Sequence, residues 1–477
     1  MNRREMLAGS LALGGCAVAP DAPDIDRLYG YTDAIPIHER RPIVTIPGML
    51  GSRLRQGRGG PFLWGGPGRL SADPAIPEEA RRLALPIGAG TEPLSALTDG
   101  VHVDGVLRRA RARLLGATVE EAVYDGLVAA LNAGGYAFSR SVAEERARLG
   151  ENPGSLEFPY DWRRDLVEAA RDLDAFVERK ADQVARVRRA RWGAAVAPED
   201  LRFDFVAHSM GALVLRWWLM YGGRDLPESG PMPPPDWAGA RRAACVIFVA
   251  PPFLGSILAT RSLIEGRSFG PLQPVHPPAI LGTFPALYQL MPRDRHDRLR
   301  LADADGPSPG DLYDPETWIE NRWGLADPAQ APMLAALTPE ADPRDRRRRA
   351  HAHLARVLDR AERVQAALDR PGEPPFADLF LVVGTGLDTP AGLVIDPETR
   401  RPARVIEEEG DGIVLRASAL MDEAQGGHPR AGPRHPVQYR TVLLLPGEHV
   451  RITRDPVFAD NLLYWLLDAP RARRDRG

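Results

Sequence analysis

The sequence contains little cysteine, because Cys16 and Cys245 are the only two in 477 residues. Cys245 lies in the apolar run AACVIFVA, which predicts a small buried side chain, so we expect no internal disulfide. A strong charge excess is also missing, since 61 basic side chains are balanced by 64 acidic ones. This balance argues against nucleic-acid binding, which favours a basic surface. No residues have the spacing of zinc ligands, so we expect neither a metal nor another cofactor.

Long apolar runs are missing as well, and the apolar segment near the N-terminus is too short to span a bilayer. This segment follows Arg3 and Arg4 and ends in Leu-Gly-Gly-Cys16, which is similar to a bacterial export signal with a lipobox. We therefore expect residues 1–16 to be an export signal and residues 17–40 a linker. The mature protein would be periplasmic and tethered to a membrane by a lipid on Cys16. The alternative is an ordinary cleaved signal in which Cys16 has no role.

Apolar segments separated by helical patterns predict an α/β fold with a mainly parallel sheet and helices on both faces. The predicted strands are 43–46, 203–207, 242–249, 378–386 and 441–449, and the predicted helices include 106–115, 124–131, 166–181 and 456–467. The long proline-punctuated segment 253–375 interrupts the order of the strands, so we expect it to form a helix-rich cap.

The stretch FDFVAHSMG, 203–211, predicts a buried strand that runs into Ser209 and then into a helix. A serine between small residues at such a junction is typical of a nucleophile elbow, whose strained turn lifts the hydroxyl above the sheet edge. The small residues here are Ala207 and Gly211. Ser209 is therefore the candidate nucleophile.

A serine nucleophile needs a histidine base and an acid, which follow it in the order acid, then histidine, on this type of sheet. His449 is the candidate base because it lies at the C-terminal end of the last predicted strand, whereas His208 adjoins the serine and should point away from it. Asp411, between two glycines, is the favoured acid, and Asp388 competes with it because Asp388 also follows a strand.

The negative charge that develops on the substrate oxygen needs hydrogen-bond donors. The backbone N–H after the serine, that of Met210, is the first predicted donor. The loop after the first strand supplies the second, with the N–H of Met49 favoured and Leu50 as the near alternative. These backbone groups form the predicted oxyanion hole.

Seven motifs in chain order resemble the lecithin:cholesterol acyltransferase family, which includes lysosomal phospholipase A2 and phospholipid:diacylglycerol acyltransferase. They are RPIVTIPGMLGSRL, PYDWR, AHSMG, VIFVAPPFLGS, VVGTGLDTP, EGDGIV and PGEHVRI. The resemblance implies one α/β-hydrolase domain over 41–470, with a membrane-contacting insertion at 51–113, the cap and lid at 253–375 and a tail at 471–477. It also implies that Ser209, Asp411 and His449 form the triad and that Met49 belongs to the oxyanion loop.

Other motif residues are candidates for weaker roles. Leu50, Pro251 and Phe253 are predicted to contact the substrate, although Pro251, Pro252 and Phe253 could instead form a rigid turn after the strand. The cluster 62–64 is a candidate for membrane contact, with loop packing as the alternative. The signature at 159–163 is expected to be structural.

The expected function is a serine-dependent O-acyltransferase or phospholipase A that acts on lipid esters in a membrane through an acyl-enzyme. A simple carboxylesterase or triacylglycerol lipase is the first alternative. A catalytically silent lipid-binding lipoprotein is the second. The expected partners are therefore a phospholipid or other lipid ester and a membrane surface, with no nucleic acid.

Overall fold

The computed structural model describes residues 24–31, 36, 38–67, 70–89, 92–114, 117–122, 124–136, 154–194, 196–269, 273–372, 374–422 and 437–470. The predicted signal, Cys16 and the predicted tail 471–477 lie outside the described residues. Within the described ranges, no helix combines the length and the apolar character that a bilayer crossing requires.

The strands and helices are numbered in chain order. The strands are β1 (Ile43–Ile46), β2 (Ser52–Gln56), β3 (Phe62–Trp64), β4 (Val101–Val106), β5 (Arg109–Leu114), β6 (Ala117–Ala122), β7 (Ser155–Glu157), β8 (Phe203–His208), β9 (Ala243–Val249), β10 (Arg267–Ser268), β11 (Val275–His276), β12 (Leu299–Leu301), β13 (Asp378–Thr385), β14 (Leu387–Ile395), β15 (Pro402–Gly410) and β16 (Thr441–Pro446). The helices are α1 (Ile25–Tyr29), α2 (Pro77–Leu83), α3 (Asp125–Ala133), α4 (Leu166–Trp192), α5 (Met210–Tyr221), α6 (Ile257–Glu265), α7 (Pro278–Leu281), α8 (Pro285–Gln289), α9 (Pro315–Glu320), α10 (Ala331–Leu337), α11 (Pro343–Leu368), α12 (Arg416–Leu420) and α13 (Pro456–Leu463), which continues as the π-helical turn Tyr464–Asp468.

The central sheet has six strands in the order β16-β13-β9-β8-β1-β7, and every neighbouring pair is parallel. Alternate residues of the inner strands enter two separate hydrophobic clusters. Phe205 and Ala207 of β8 belong to the cluster that contains α4 and α5, whereas Val206 belongs to the cluster that contains α1, α3 and α13. Helices therefore cover both faces of the sheet, as the apolar strands predicted.

The two excursions from the sheet contain more regular structure than the sequence predicted. The part after β1 holds an antiparallel sheet in the order β3-β2-β4 and the β5–β6 hairpin. The prediction of a helix over 106–115 is therefore wrong. The sequence RARARL in β5 alternates with a period of two, which suits pairing with β6 better than a helix. The part after β9 is helical, as expected of a cap, and its strand β12 pairs with β14.

Two further expectations need correction. The predicted linker contains the helix α1, whose Tyr29 is buried and donates its hydroxyl to the carbonyl oxygen of Asp460 on α13 at 2.9 Å. The last strand, β16, lies at the edge of the sheet and is not fully buried, since Val442 and Leu444 are exposed. An edge strand has a sheet neighbour on one side only, so its apolar character did not distinguish it from a central strand.

Buried histidines predict a loss of stability in acid. Burial lowers the pKa of His353 on α11 to about 3, whereas the unfolded residue has a pKa near 6.5. Between these two pH values the unfolded chain binds a proton at this residue, whereas the folded chain does not. Stability therefore falls as the pH drops from about 6.5 toward 3. We expect His353→Gln to lose about 2 kcal/mol less unfolding free energy than the wild type between pH 7 and pH 5. Urea denaturation at both pH values measures this difference, and equal losses in both proteins would contradict it.

Candidate active site

The site is built on the junction between β8 and α5. Ser209 occupies this junction with φ 55° and ψ −129°, the strained conformation that a nucleophile elbow requires. The turn is crowded. A Cβ atom on Gly211 would lie 2.4 Å from the carbonyl oxygen of Pro47, and one on Gly48 would lie 2.7 Å from the Cβ of Ser209. Glycine is therefore needed at both positions for the first strand's loop to pack against the elbow.

Three predicted side chains form a continuous hydrogen-bonded relay. Nε2 of His449 lies 2.8 Å from Oγ of Ser209, and Nδ1 lies 2.7 Å from Oδ2 of Asp411. A carboxylate can only accept, so the imidazole donates its Nδ1–H to Asp411 and leaves Nε2 free to accept the serine proton. The structure thus brings Ser209, His449 and Asp411 together. Asp388, the competing acid, is exposed on β14.

The loop around Asp411 holds its carboxylate in place. Oδ1 accepts the N–H groups of Ile413 at 3.0 Å and Val414 at 2.7 Å, while the Asp411 carbonyl accepts the N–H of His449 at 3.0 Å. Burial alone would raise the pKa of Asp411, but His449 and these backbone donors more than offset burial and lower the pKa below its ordinary value. Asp411 is therefore ionised at neutral pH and fixes the orientation of the imidazole.

The predicted oxyanion donors lie on two elements that meet at Ser209. Gly48 and Gly51 close a turn with a hydrogen bond of 3.0 Å, and Met49 and Leu50 are its central residues. Met210 is the first residue of α5, where the aligned peptide dipoles favour negative charge. The N–H groups of Met49 and Met210 have no hydrogen-bond partner within the described ranges. Their role as the oxyanion hole stays a prediction.

The motif at 159–163 makes hydrogen bonds to the residues on either side of this turn. The hydroxyl of Tyr160 donates to the carbonyl of Pro47 at 2.9 Å, and the indole N–H of Trp162 donates to the carbonyl of Ser52 at 3.1 Å. Arg163 is buried and forms salt bridges with Asp161 at 2.7 Å and with Asp99, which lies just before β4, at 2.6 Å. The motif is therefore structural, as expected, and it holds the predicted oxyanion loop.

The residues predicted to contact the substrate differ in their burial and packing. Leu50 is partly buried, with φ 64°, and Pro251 is buried directly after β9. Phe253 is 1 % exposed and packs edge-on against Phe248 at 5.3 Å, with the guanidinium of Arg216 above its ring. Packing against these neighbours therefore explains why Phe253 is buried. Substrate contact by Leu50, Pro251 or Phe253 stays a prediction.

The aromatic cluster at 62–64 packs inside the insertion. Leu63 and Trp64 are each 2 % exposed, and the indole N–H of Trp64 donates to the carbonyl of Leu50 at 2.8 Å. Membrane contact is therefore wrong for these two residues, because both are covered by protein, and Trp64 bonds to the predicted oxyanion turn.

Sequence reasoning missed two residues next to the relay. His208 was considered only as a possible base for Ser209, and its ring centroid lies 4.8 Å from that of His449. The hydroxyl of Tyr124, at the start of α3, lies 3.1 Å from Nδ1 of His208. The alternation of β8 was an available signal, because it places His208 on the same face of the sheet as Val206.

Metal ligands do not gather at this site or elsewhere in the described ranges, where no three His, Cys, Asp or Glu side chains could hold an ion together.

Comparison with known protein families adds a second line of support. Residues 127–305 match the family model described as lecithin:cholesterol acyltransferase, and this match includes β8, Ser209 and α5. Over these residues the chain is similar to that family. This match supports an enzyme that acts on lipid esters. No curated protein sequence gives a significant match.

Solved structures support the fold. The crystal structure of a Tle4–Tli4 complex contains a chain that is 15% identical, with a TM-score of 0.54, and the alignment covers 90% of this chain and 98% of that one. Lipase 1 from Pelosinus fermentans is 12% identical with a TM-score of 0.33, over 89% of this chain and 98% of the lipase. At such low identity the first likeness concerns the fold alone. With the parallel sheet, it identifies the α/β-hydrolase fold that the sequence predicted.

Proposed function

We propose that this protein is a serine-dependent O-acyltransferase or phospholipase A that acts on membrane lipid esters through an acyl-enzyme. The observation that carries the proposal is the relay in which His449 bridges Ser209 and Asp411 at 2.8 Å and 2.7 Å. The match to the lecithin:cholesterol acyltransferase family model supports a lipid ester as the substrate class. The two together favour acyl transfer from a lipid.

In the proposed first half-reaction, Oγ of Ser209 attacks the ester carbonyl carbon and its proton passes to Nε2 of His449. The carbonyl oxygen becomes an oxyanion, which the N–H groups of Met49 and Met210 would stabilise. The ester C–O bond then breaks, and the departing alcohol, a lyso-lipid, takes the proton from His449. The products of this half-reaction are the lyso-lipid and an acyl group on Ser209.

In the second half-reaction, His449 removes a proton from water or from an acceptor alcohol, whose oxygen attacks the acyl-enzyme. The tetrahedral intermediate collapses, Ser209 recovers its proton from His449, and a fatty acid or a new ester leaves. Asp411 stays ionised throughout and stabilises the imidazolium that forms twice in each cycle. The identity of the acceptor alone decides between hydrolysis and transfer.

Product analysis tests the proposal. We expect phospholipid vesicles to yield lyso-phospholipid, together with free fatty acid in water alone and a fatty ester when a long-chain alcohol is supplied. Mass spectrometry of the extracted lipids measures all three products. Fatty acid without ester would restrict the protein to hydrolysis. Cleavage of triacylglycerol or soluble esters but not of phospholipid would favour the lipase or carboxylesterase alternative.

The remaining alternative is a lipid-binding protein without catalysis. The same vesicles would then bind the protein, yet no lyso-phospholipid or fatty acid would accumulate. The fully connected relay argues against this alternative, because a binding protein has no need of an oriented base beside a strained serine.

A further inference from the structure

His208 is a buried histidine beside the relay that the proposed mechanism does not use. It ends β8 directly before Ser209, and it is 5 % exposed. Its Nε2 lies 3.0 Å from the backbone carbonyl oxygen of His449, and its Nδ1 lies 3.1 Å from the hydroxyl of Tyr124. The imidazole therefore bonds on both edges to residues from other parts of the chain.

The direction of these hydrogen bonds follows from elementary chemistry. A carbonyl oxygen can only accept, so Nε2–H of His208 is the donor to His449. Burial, with a smaller contribution from the neighbouring His449, lowers the pKa of His208 to about 3. The imidazole is therefore neutral at pH 7, carries a single N–H, and must accept at Nδ1. The hydroxyl of Tyr124 supplies that proton.

The chain of hydrogen bonds continues into the predicted oxyanion turn. The hydroxyl oxygen of Tyr124 accepts the N–H of Gly48 at 2.7 Å. Gly48 precedes Met49, and a Cβ atom on Gly48 would also lie 3.2 Å from the carbonyl of His208. One uninterrupted path thus runs from Gly48 through Tyr124 and His208 to the backbone of His449.

The path also completes the support of the catalytic loop. The backbone N–H of His449 donates to the carbonyl of Asp411 at 3.0 Å, and its carbonyl accepts from His208 at 3.0 Å. Both backbone polar groups of the predicted base are therefore fixed by different elements. Loss of the His208 bond would leave one of them free to move.

We infer that His208, together with Tyr124, is a positioning residue that fixes His449 and the turn bearing Met49 relative to Ser209. The inference rests on the proposed serine mechanism. It adds one hydrogen-bond network that positions both the base and the predicted oxyanion turn around the reacting carbonyl. Neither residue touches the substrate. A displacement of about 1 Å of the base or of the oxyanion turn can lower the rate about 100-fold. The network is therefore expected to affect turnover rather than binding.

Conservative substitutions separate positioning from plain packing. We expect Tyr124→Phe to lower kcat on a soluble p-nitrophenyl ester about tenfold, the typical effect of one hydrogen bond, with KM changed less than about twofold. His208→Leu removes both bonds and should lower kcat about 100-fold. His208→Gln keeps a donor and an acceptor and should recover most of that loss. The rate of Ser209 labelling by a fluorophosphonate should follow the same order.

Tyr288→Phe is the matched control, because Tyr288 is also buried and donates its hydroxyl to the carbonyl of Gly282 at 3.1 Å within the cap. It should lower the melting temperature to a similar extent as Tyr124→Phe while kcat stays unchanged. If Tyr124→Phe and His208→Leu lower kcat no more than this control, the inference is overturned. If His208→Leu fails to fold, the comparison of Tyr124→Phe, His208→Gln and the control decides alone.

Different results would overturn the proposed function and the positioning role. A wild-type protein that neither cleaves an ester nor reacts with a fluorophosphonate would overturn the proposed function, and the positioning role with it. A wild-type protein that is fully active, with Tyr124 and His208 variants that keep its kcat, would overturn the positioning role alone.

Discussion

Replacing Ser209 by alanine is expected to lower kcat on lipid esters by about 10⁴- to 10⁶-fold, because the acyl-enzyme can no longer form. The fold should be retained, since alanine differs from serine only by the hydroxyl, and that hydroxyl bonds to the imidazole of His449. Steady-state kinetics with a phospholipid substrate and thermal unfolding of the same preparation measure both quantities.

The matched control is Ser262→Ala in α6, where a buried serine donates its hydroxyl to the carbonyl of Leu258 at 2.6 Å. This variant should keep its kcat. Ester cleavage by Ser209→Ala at a rate near that of the control would mean that another group is the nucleophile.

Asp411→Asn is expected to lower kcat by about 10⁴-fold while leaving the structure intact. An asparagine amide that donates to Nδ1 would force the imidazole proton onto Nε2, and this nitrogen could then no longer accept the proton of Ser209. The effect should appear in kcat with little change in KM, because the carboxylate is buried behind the imidazole. Kinetics on a soluble ester measure the two constants separately.

Asp388→Asn provides the comparison for this second substitution, since Asp388 lies on β14, is exposed, and was the competing acid on sequence grounds. It should retain wild-type activity. A larger loss in Asp388→Asn than in Asp411→Asn would reverse the assignment of the acid and contradict the relay.

The central strands and the elbow could be predicted because their sequence pattern has few other solutions. The segment that became β9 is apolar on both faces, and every residue of β8 is buried, which suits strands covered by helices on both sides. The small residues around Ser209 follow from the contacts of the turn, as the 2.4 Å approach of a Gly211 Cβ to Pro47 shows. In these places local chemistry and global packing agree.

The insertion was predicted less well, since local signals there admit two interpretations. The segment 106–115 contains enough apolar residues for a helix, yet the Arg–Ala alternation of β5 has the period of a strand. Leu63 and Trp64 resemble exposed loop residues in the sequence, but both are buried and Trp64 bonds to the predicted oxyanion turn. Contacts between distant segments decided both cases.

The candidate site shows the same division. The order of serine, acid and histidine was visible in the sequence, but the residues alone left Asp411 and Asp388 both open, because each follows a strand. Only the folded chain brings Asp411 to 2.7 Å from His449. The contact of Tyr124 with His208 joins residues 84 positions apart, and no motif links them.

Labelling with a fluorophosphonate, followed by mass spectrometry of the peptides, tests the central claim most directly, because this reagent phosphonylates a serine only when a base and an oxyanion site activate it. The account predicts one adduct, located on Ser209, that excess phospholipid suppresses and that is absent from His449→Gln. An adduct on another residue, or an unmodified Ser209 in protein that cleaves phospholipid, would contradict it.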